Sequence, residues 1–365
     1  RHSMPQRPLS KIKVIKAAFV KGKRINREEK KEENMAEQEK AGSLPVEDSI
    51  KETPHKTPAG EKRKKIWERM KRGKQIYIML LPVMLFYILF SYVPMYGIIL
   101  AWKRYLPDMG ILGSPDVGWK YFEQFFTRPA MFRALKNTLV ISFLKLLFCF
   151  PAPIILAIFL NEVRVAKYRK LLQWMVYLPY FISWVVIGGL VKQMLAIDDG
   201  LFNNILAAFG KDRVAFLQTS SYFYPILILT ELWKGMGWGT VIYIAAISGI
   251  DPCLYEAATI DGCKRFGHMR YITFPSLLPI ITVMFILQLG NIMNAGFDSV
   301  YNLYNDTILD VSEIIDTLVY TEGIGGKQEF STAVGLFKNI INFILLIGGN
   351  ALTKKINGYS MYSLD

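Results

Sequence analysis

Six runs of predominantly apolar residues, at 75–101, 134–160, 171–195, 223–250, 276–295 and 334–352, fix the class of fold open to this chain. About twenty residues at a helical rise cross the hydrocarbon core of a bilayer. Within lipid, every backbone N–H and C=O has to be paired inside the segment, and single runs of this length achieve that as α-helices. The expectation is an all-α integral membrane protein with six transmembrane helices. Composition agrees only because charge and apolar residues are segregated. The chain is 52% hydrophobic yet 20% charged, with the Lys clusters gathered before the first run and in loops. The net charge of +14 therefore belongs to a tail and loops, and does not by itself argue for nucleic acid.

Residues 1–61 are polar, rich in Lys, Glu and Pro, and lack apolar periodicity, which predicts a disordered tail without a signal peptide. Two readings stand for its start. Lys30-Lys31-Glu32-Glu33-Asn34-Met35 is what a purine-rich ribosome-binding sequence before a start codon would encode, so that the natural protein begins at Met35; otherwise residues 1–34 are a genuine basic tail. A juxtamembrane basic segment and the first helix follow over 62–105, then an outer loop over 106–133. Basic residues favour the cytoplasmic side. Lys62–Lys65, Arg164 to Lys170, Lys264/Arg265/Arg270 and Lys354/Lys355 fall on one side, whereas 298–332 carries Lys327 alone against seven carboxylates. The reading is multi-pass, with both termini cytoplasmic; the first outer loop, with Lys103, Arg104, Lys120 and Arg128, runs against the rule. Within 298–333, a short amphipathic helix is expected at 310–320, as a cap on the bundle or as a docking site for a delivery protein.

The loop from Asp251 to Pro279 is built as a unit. Asp251 caps a helix opened by Pro252, and Gly262 ends it in a left-handed conformation. A second short helix is expected from Lys264 to Tyr271, stopped before Pro275. Glu256-Ala257-Ala258, three residues, Gly262, nine residues, then Ile272-x-Phe274-Pro275 resembles the EAA loop of the membrane subunits of binding-protein-dependent ABC importers, Glu-Ala-Ala-x3-Gly-x9-Ile-x-Leu-Pro. Phe274 stands for Leu, and Cys263 follows the Gly where Ala is common. Leu135-Lys136-Asn137-Thr138, Asn161-Glu162-Val163-Arg164, Leu178-Pro179-Tyr180-Phe181-Ile182-Ser183, Trp233-Lys234-x-x-Gly237-Trp238 and Asp310-Val311-x-x-Ile314-Ile315-Asp316-Thr317 are similar to oligosaccharide and polysaccharide permeases of the LplB branch, within the LplB/MalF-like group.

The resemblance implies the type I importer (MetI-like) permease fold, with a first helix wrapping a five-helix core over 134–358, a cytoplasmic coupling loop at 251–275 and a tail at 359–365. It implies a permease subunit of an ATP-driven oligosaccharide importer in the bacterial plasma membrane. The partners implied are a second permease as a heterodimer, cytoplasmic ATP-binding subunits, an extracellular solute-binding lipoprotein, membrane lipid and the oligosaccharide, with no nucleic acid. Glu256, Ala257, Ala258, Asp261, Gly262, Ile272 and Pro275 would couple to the ATPase. ATP would be bound by that partner, since no Gly-x4-Gly-Lys-Ser/Thr loop occurs here and Gly323-Ile324-Gly325-Gly326-Lys327 has the wrong spacing.

Ionisable and polar residues inside spans are costly, which makes them site candidates. Glu231 and Lys234 either neutralise each other or, with Trp233 and Trp238, line a sugar pathway. Gln288, Asn291 and Asn294 are further pathway candidates, with helix–helix hydrogen bonding as the alternative. Gly235, Gly237 and Gly239 suggest close packing or a local unwinding. Cys149, Cys253 and Cys263, and His2, His55 and His268, have no disulfide, dyad or metal spacing, so no cofactor, metal or enzymatic centre is expected. An ion-coupled secondary transporter of small polar solutes leaves the Glu-Ala-Ala loop unexplained. An intramembrane enzyme has no catalytic constellation to use.

Overall fold

Prolines decide how the spanning helices are drawn, and the computed structural model, which describes residues 73–357, shows the device. Three helices each carry one π-turn immediately before a proline. Ile88–Tyr92 precedes Pro94, Lys145–Cys149 precedes Pro151, and Met269–Thr273 precedes Pro275. In each, the residue just before the proline donates its N–H five residues back: Val93 to Ile88, Phe150 to Lys145, Phe274 to Met269. Proline has no N–H to give, and its ring crowds the carbonyl four residues earlier. One widened turn takes up that conflict without ending the helix.

The principal helices are α1 (Lys74–Trp102), α2 (Pro129–Glu162), α3 (Ala166–Phe181), α4 (Trp184–Met194), α5 (Ser220–Ser248), α6 (Pro252–Ile260), α7 (Arg265–Gly290), α8 (Phe297–Leu303), α9 (Ile315–Ile324) and α10 (Gln328–Asn357), with further short helices at Lys120–Thr127 and Leu201–Ala208. α1, α2, α7 and most of α10 are each long and apolar enough to cross a membrane; six spans result if α3 with α4, and α5 with α6, each count as one. The tail and its possible start at Met35 lie outside the described residues, as do Lys62–Lys65 and the last eight residues.

Two sequence expectations change here. The helix expected to stop before Pro275 runs on through it to Gly290, because the π-turn at Met269–Thr273 accommodates the proline. The third apolar run is not one straight helix, since α3 and α4 meet at 96° around Ile182–Ser183. Ser183 turns its hydroxyl to the Val186 N–H and so starts α4 afresh.

Residues 83–357 form one compact unit. Ile154, Ala157, Tyr243, Ile247 and Leu277 join α2, α5 and α7 at one level. Ile141, Phe223, Leu227 and Val300 join α2, α5 and α8 at another. Gly237 allows α5 to press against the end of α3, since a Cβ there would lie 1.8 Å from the Val176 carbonyl oxygen. Gly239 meets Pro153 of α2, where a Cβ would lie 2.7 Å from the ring, while Gly235 faces open space. Gly237 and Gly239 therefore serve close packing within an unbroken α5, and no unwinding occurs.

The segment expected as one helix at 310–320 is split. Leu309–Ser312 is a short turn, Glu313–Ile314 is extended, and α9 begins at Ile315. The break is held from α2. Asn137 donates to the carbonyls of Asp310 and Glu313, both at 3.0 Å, Thr138 accepts the Ile315 N–H, and Arg133 binds Glu313 at 2.6 Å. Buried polar groups need such partners. The segment is thereby a cap packed on the bundle.

Candidate functional site

Two places gather the sequence candidates: the knuckle between α5 and α7, and the polar seam where α3 breaks.

At the knuckle, α5 ends at Ser248 and α6 leaves at 72° to it. The Asp251 carboxylate accepts the Cys253 N–H at 2.9 Å, and Pro252 opens the helix, as expected. The far end closes as a Schellman turn. Gly262 sits at φ +76°, the Cys263 N–H reaches the Ala258 carbonyl at 2.8 Å, and the Gly262 N–H reaches Thr259 at 3.0 Å. Glu256, Ala257, Asp261 and Gly262 are exposed, whereas Ala258 and Ile272 are partly covered and Pro275 is exposed at the start of the spanning part of α7. Ile260 is 87% exposed at the tip of the knuckle, and Leu254 and Phe266 are exposed on it as well. The Tyr255 hydroxyl bonds Thr273 at 3.0 Å, tying α6 to the foot of α7. Asp251 also acts on Cys253: its hydrogen bond, and then its charge, push that exposed thiol's pKa up.

The seam corrects the expected pairing of Glu231 with Lys234. Glu231 pairs with Lys145 of α2, whose ammonium also bonds Ser299 at 3.2 Å. Lys234 instead gives its ammonium to the carbonyls of Tyr180, at 2.9 Å, and Ile182. The physical reason is competition. The 96° break leaves the last carbonyls of α3 without helical partners, and Lys234 supplies their hydrogen bonds while Lys145 neutralises Glu231. Gly296, at φ +91°, passes against the ion pair, where a Cβ would lie within 3.3 Å of Lys145, Ser299 and Glu231 atoms.

Lys234 also lies 5.6 Å from the Tyr180 ring centre and 5.5 Å from that of Trp184. Trp238, one turn on, stacks on Tyr180 at 4.8 Å and 10°. Trp233 is not brought into this group. At about 100° per residue it points roughly 140° away from Trp238 around α5, and it makes none of the ring contacts found there. Asn291 and Asn294 lie exposed where α7 ends, joined by a 3.2 Å side-chain bond, with Gln288 exposed one turn earlier. Among the described residues no cluster of His, Cys, Asp or Glu is arranged to hold a metal.

Lys145, Ser299 and Gly296 were not among the sequence candidates. Lys145 had a signal, being a cation in the middle of an apolar run. Ser299 and Gly296 had none, because only the folded chain sets them beside it.

Residues 150–358 match the family described as the binding-protein-dependent transport system inner membrane component. The polygalacturonan/rhamnogalacturonan transport system permease protein YteP of Bacillus subtilis is 44% identical over 303 residues, 83% of this chain and 94% of that protein. Protein LplB of the same organism is 40% identical, across 80% and 92%. A solved bacterial ABC transporter involved in import of the acidic polysaccharide alginate contains a chain of 37% identity that superposes with a TM-score of 0.74, covering 80% of this chain and 99% of that one. The same transporter has been solved with an alginate pentasaccharide-bound periplasmic protein, at the same identity and TM-score.

Proposed function

This chain belongs to the family of binding-protein-dependent transport system inner membrane components, and on that premise we propose how its two sites work. It is a multi-pass permease subunit of a carbohydrate ABC importer, and is not itself an enzyme. It forms half of a translocation pathway for oligosaccharides, the other half coming from a second permease of different sequence. The knuckle around α6 seats in a groove of the ATPase, with Glu256, Ala257, Ala258, Asp261 and Gly262 at the contact and Ile272 and Pro275 carrying the motion into α7. Both termini and the knuckle are cytoplasmic, and the cap around α9 faces the binding protein. The observation that carries the coupling role is the exposed, rigidly capped α6, with Ile260 bare at its tip.

The seam suits a sugar with carboxylate groups. The Tyr180–Trp238 pair offers a flat apolar face of the kind pyranose rings stack on, and Lys234 stands beside it without a carboxylate partner among the ion pairs of the described residues. Relatives named for polygalacturonan and for alginate support the same class. Asn291 and Asn294 supply hydroxyl-bonding groups farther along. The test is uptake of matched acidic and neutral oligosaccharides by proteoliposomes holding the assembled importer. Lys234→Gln lowers acidic uptake and spares neutral uptake. An equal loss of both assigns Lys234 to the α3 break alone, and uptake without ATP overturns the importer reading in favour of an ion-coupled carrier.

A further inference from the structure

A concave pocket of about 610 Å³ lies between the turn that follows α2 and the coupling loop, away from the sugar seam. Arg164 lines it from the turn, Arg169 from the start of α3, and Lys264, Arg265 and His268 from the loop. Glu162 is the one carboxylate in the lining, and none of the four Arg and Lys side chains enters an ion pair among those of the described residues. Arg169 is held in place by donating to the Val163 carbonyl at 3.1 Å. Four unpaired cations converging on one hollow repel each other unless an anion sits among them. The space equals that of about twenty waters, far more than a bare phosphate ion fills.

The surroundings indicate what carries the anion. The pocket sits where one spanning helix ends, at Glu162, and another begins, at Arg265. Val165, Tyr168 and Phe266 nearby are each more than half exposed. A ligand with a phosphate at one end and hydrocarbon at the other satisfies both the cations and these apolar side chains. Basic pockets at the cytoplasmic ends of membrane helices take anionic phospholipid headgroups on these grounds. We propose that this pocket binds the headgroup of an anionic phospholipid of the inner leaflet, wedged between the α2 turn and the coupling loop. The site rests on the cytoplasmic placement of the knuckle given above. A lipid there touches the element that receives the ATPase stroke, so the charge of the membrane bears on coupling.

The test uses the assembled importer in nanodiscs of phosphatidylcholine with a minor fraction of phosphatidylglycerol, with retained lipid counted by mass spectrometry after detergent exchange. Phosphatidylglycerol is expected to be enriched over its bulk fraction. The affinity for phosphatidylglycerol falls about five-fold for each cation removed, hence roughly 25-fold in Arg164→Gln/Arg169→Gln, with retention falling accordingly, and Arg164→Lys/Arg169→Lys keeps it. Inorganic phosphate leaves the lipid in place. Retention at the bulk fraction in the unaltered importer overturns the proposal without any variant having to fold. So does undiminished retention in the Gln variant. Displacement by inorganic phosphate makes the pocket a soluble-anion site, and loss of the ATPase subunits with lipid unchanged makes it a protein-docking surface; either result overturns the proposal. ATP-driven uptake measured in parallel in proteoliposomes separates the readings, since its absence in the unaltered importer sinks the transport assignment while the lipid count stands by itself.

Discussion

Substitution of Gly262 separates a conformational requirement from a contact requirement. At φ +76° an L-residue costs about 1–2 kcal/mol, whereas an added Cβ meets nothing within 4 Å. The cost is therefore backbone strain alone, and it lowers the population of the native turn about 5- to 30-fold. Asn, which tolerates the left-handed region, should come nearest to Gly, followed by Ala and Leu, with β-branched Val worst. Pro is excluded twice: its φ is locked near −65°, and it deletes the N–H that bonds Thr259 at 3.0 Å. Because the turn lies outside the spans, membrane insertion should be unchanged throughout the series. The assay is sugar imported per ATP hydrolysed in proteoliposomes containing the ATPase and binding protein, and this ratio should fall in the order Gly, Asn, Ala and Leu, Val, with Pro at the floor. If Asn and Val lose coupling equally, the glycine is needed for close approach of a partner and the strain argument is wrong. Normal uptake by the Pro or Leu variant removes the turn from coupling altogether.

Lys145→Met or Glu231→Gln alone should each cost about 3–5 kcal/mol by stranding a largely buried charge. The double variant should recover part of this, with a coupling of about 0.5–3 kcal/mol in the thermal unfolding of the purified complex; strictly additive losses would show that the pair does not act as one. Gly237→Ala should destabilise by about 1–3 kcal/mol through the clash with Val176. Gly235→Ala, with open space and better helix propensity, should gain up to about 1 kcal/mol, and similar unfolding temperatures for the two would contradict the packing described. Asp251 holds the Cys253 thiol up by hydrogen bond and charge, so Asp251→Asn should speed maleimide labelling at neutral pH by raising the thiolate fraction. Labelling of Cys253 by an impermeant reagent from outside intact cells would reverse the orientation.

What could be read in the sequence was local. Apolar run length marked the spans, and Asp251, Pro252 and Gly262 marked the two ends of α6, because caps and left-handed turns depend on neighbours in the chain. Pro275 misled for the same reason, since the stop rule sees the missing N–H but not a π-turn formed two to six residues earlier. The partner of Glu231 was out of reach. Lys234 is three residues away and Lys145 is 86 positions distant, and only the break at Ile182–Ser183 makes Lys234 the better ligand for carbonyls. The split of the 310–320 segment was hidden likewise, because Asn137 and Thr138, which hold the split open, read as features of another helix.

The bond between Tyr255 and Thr273 has a mechanical consequence. α6 meets α5 through the short joint at Gly249–Ile250 and is pinned by its side chain to the base of α7, so sideways force on α6 reaches α7 directly. The 26 residues of Arg265–Gly290 make a rod about 39 Å long, and tilting it by roughly 5° swings its far tip about 3 Å. That tip carries Asn291 and leads into Gly296, beside Lys145 and Glu231. Under the proposed coupling, a stroke too small to disturb the greasy middle of the bundle becomes a displacement as long as a hydrogen bond at the polar seam.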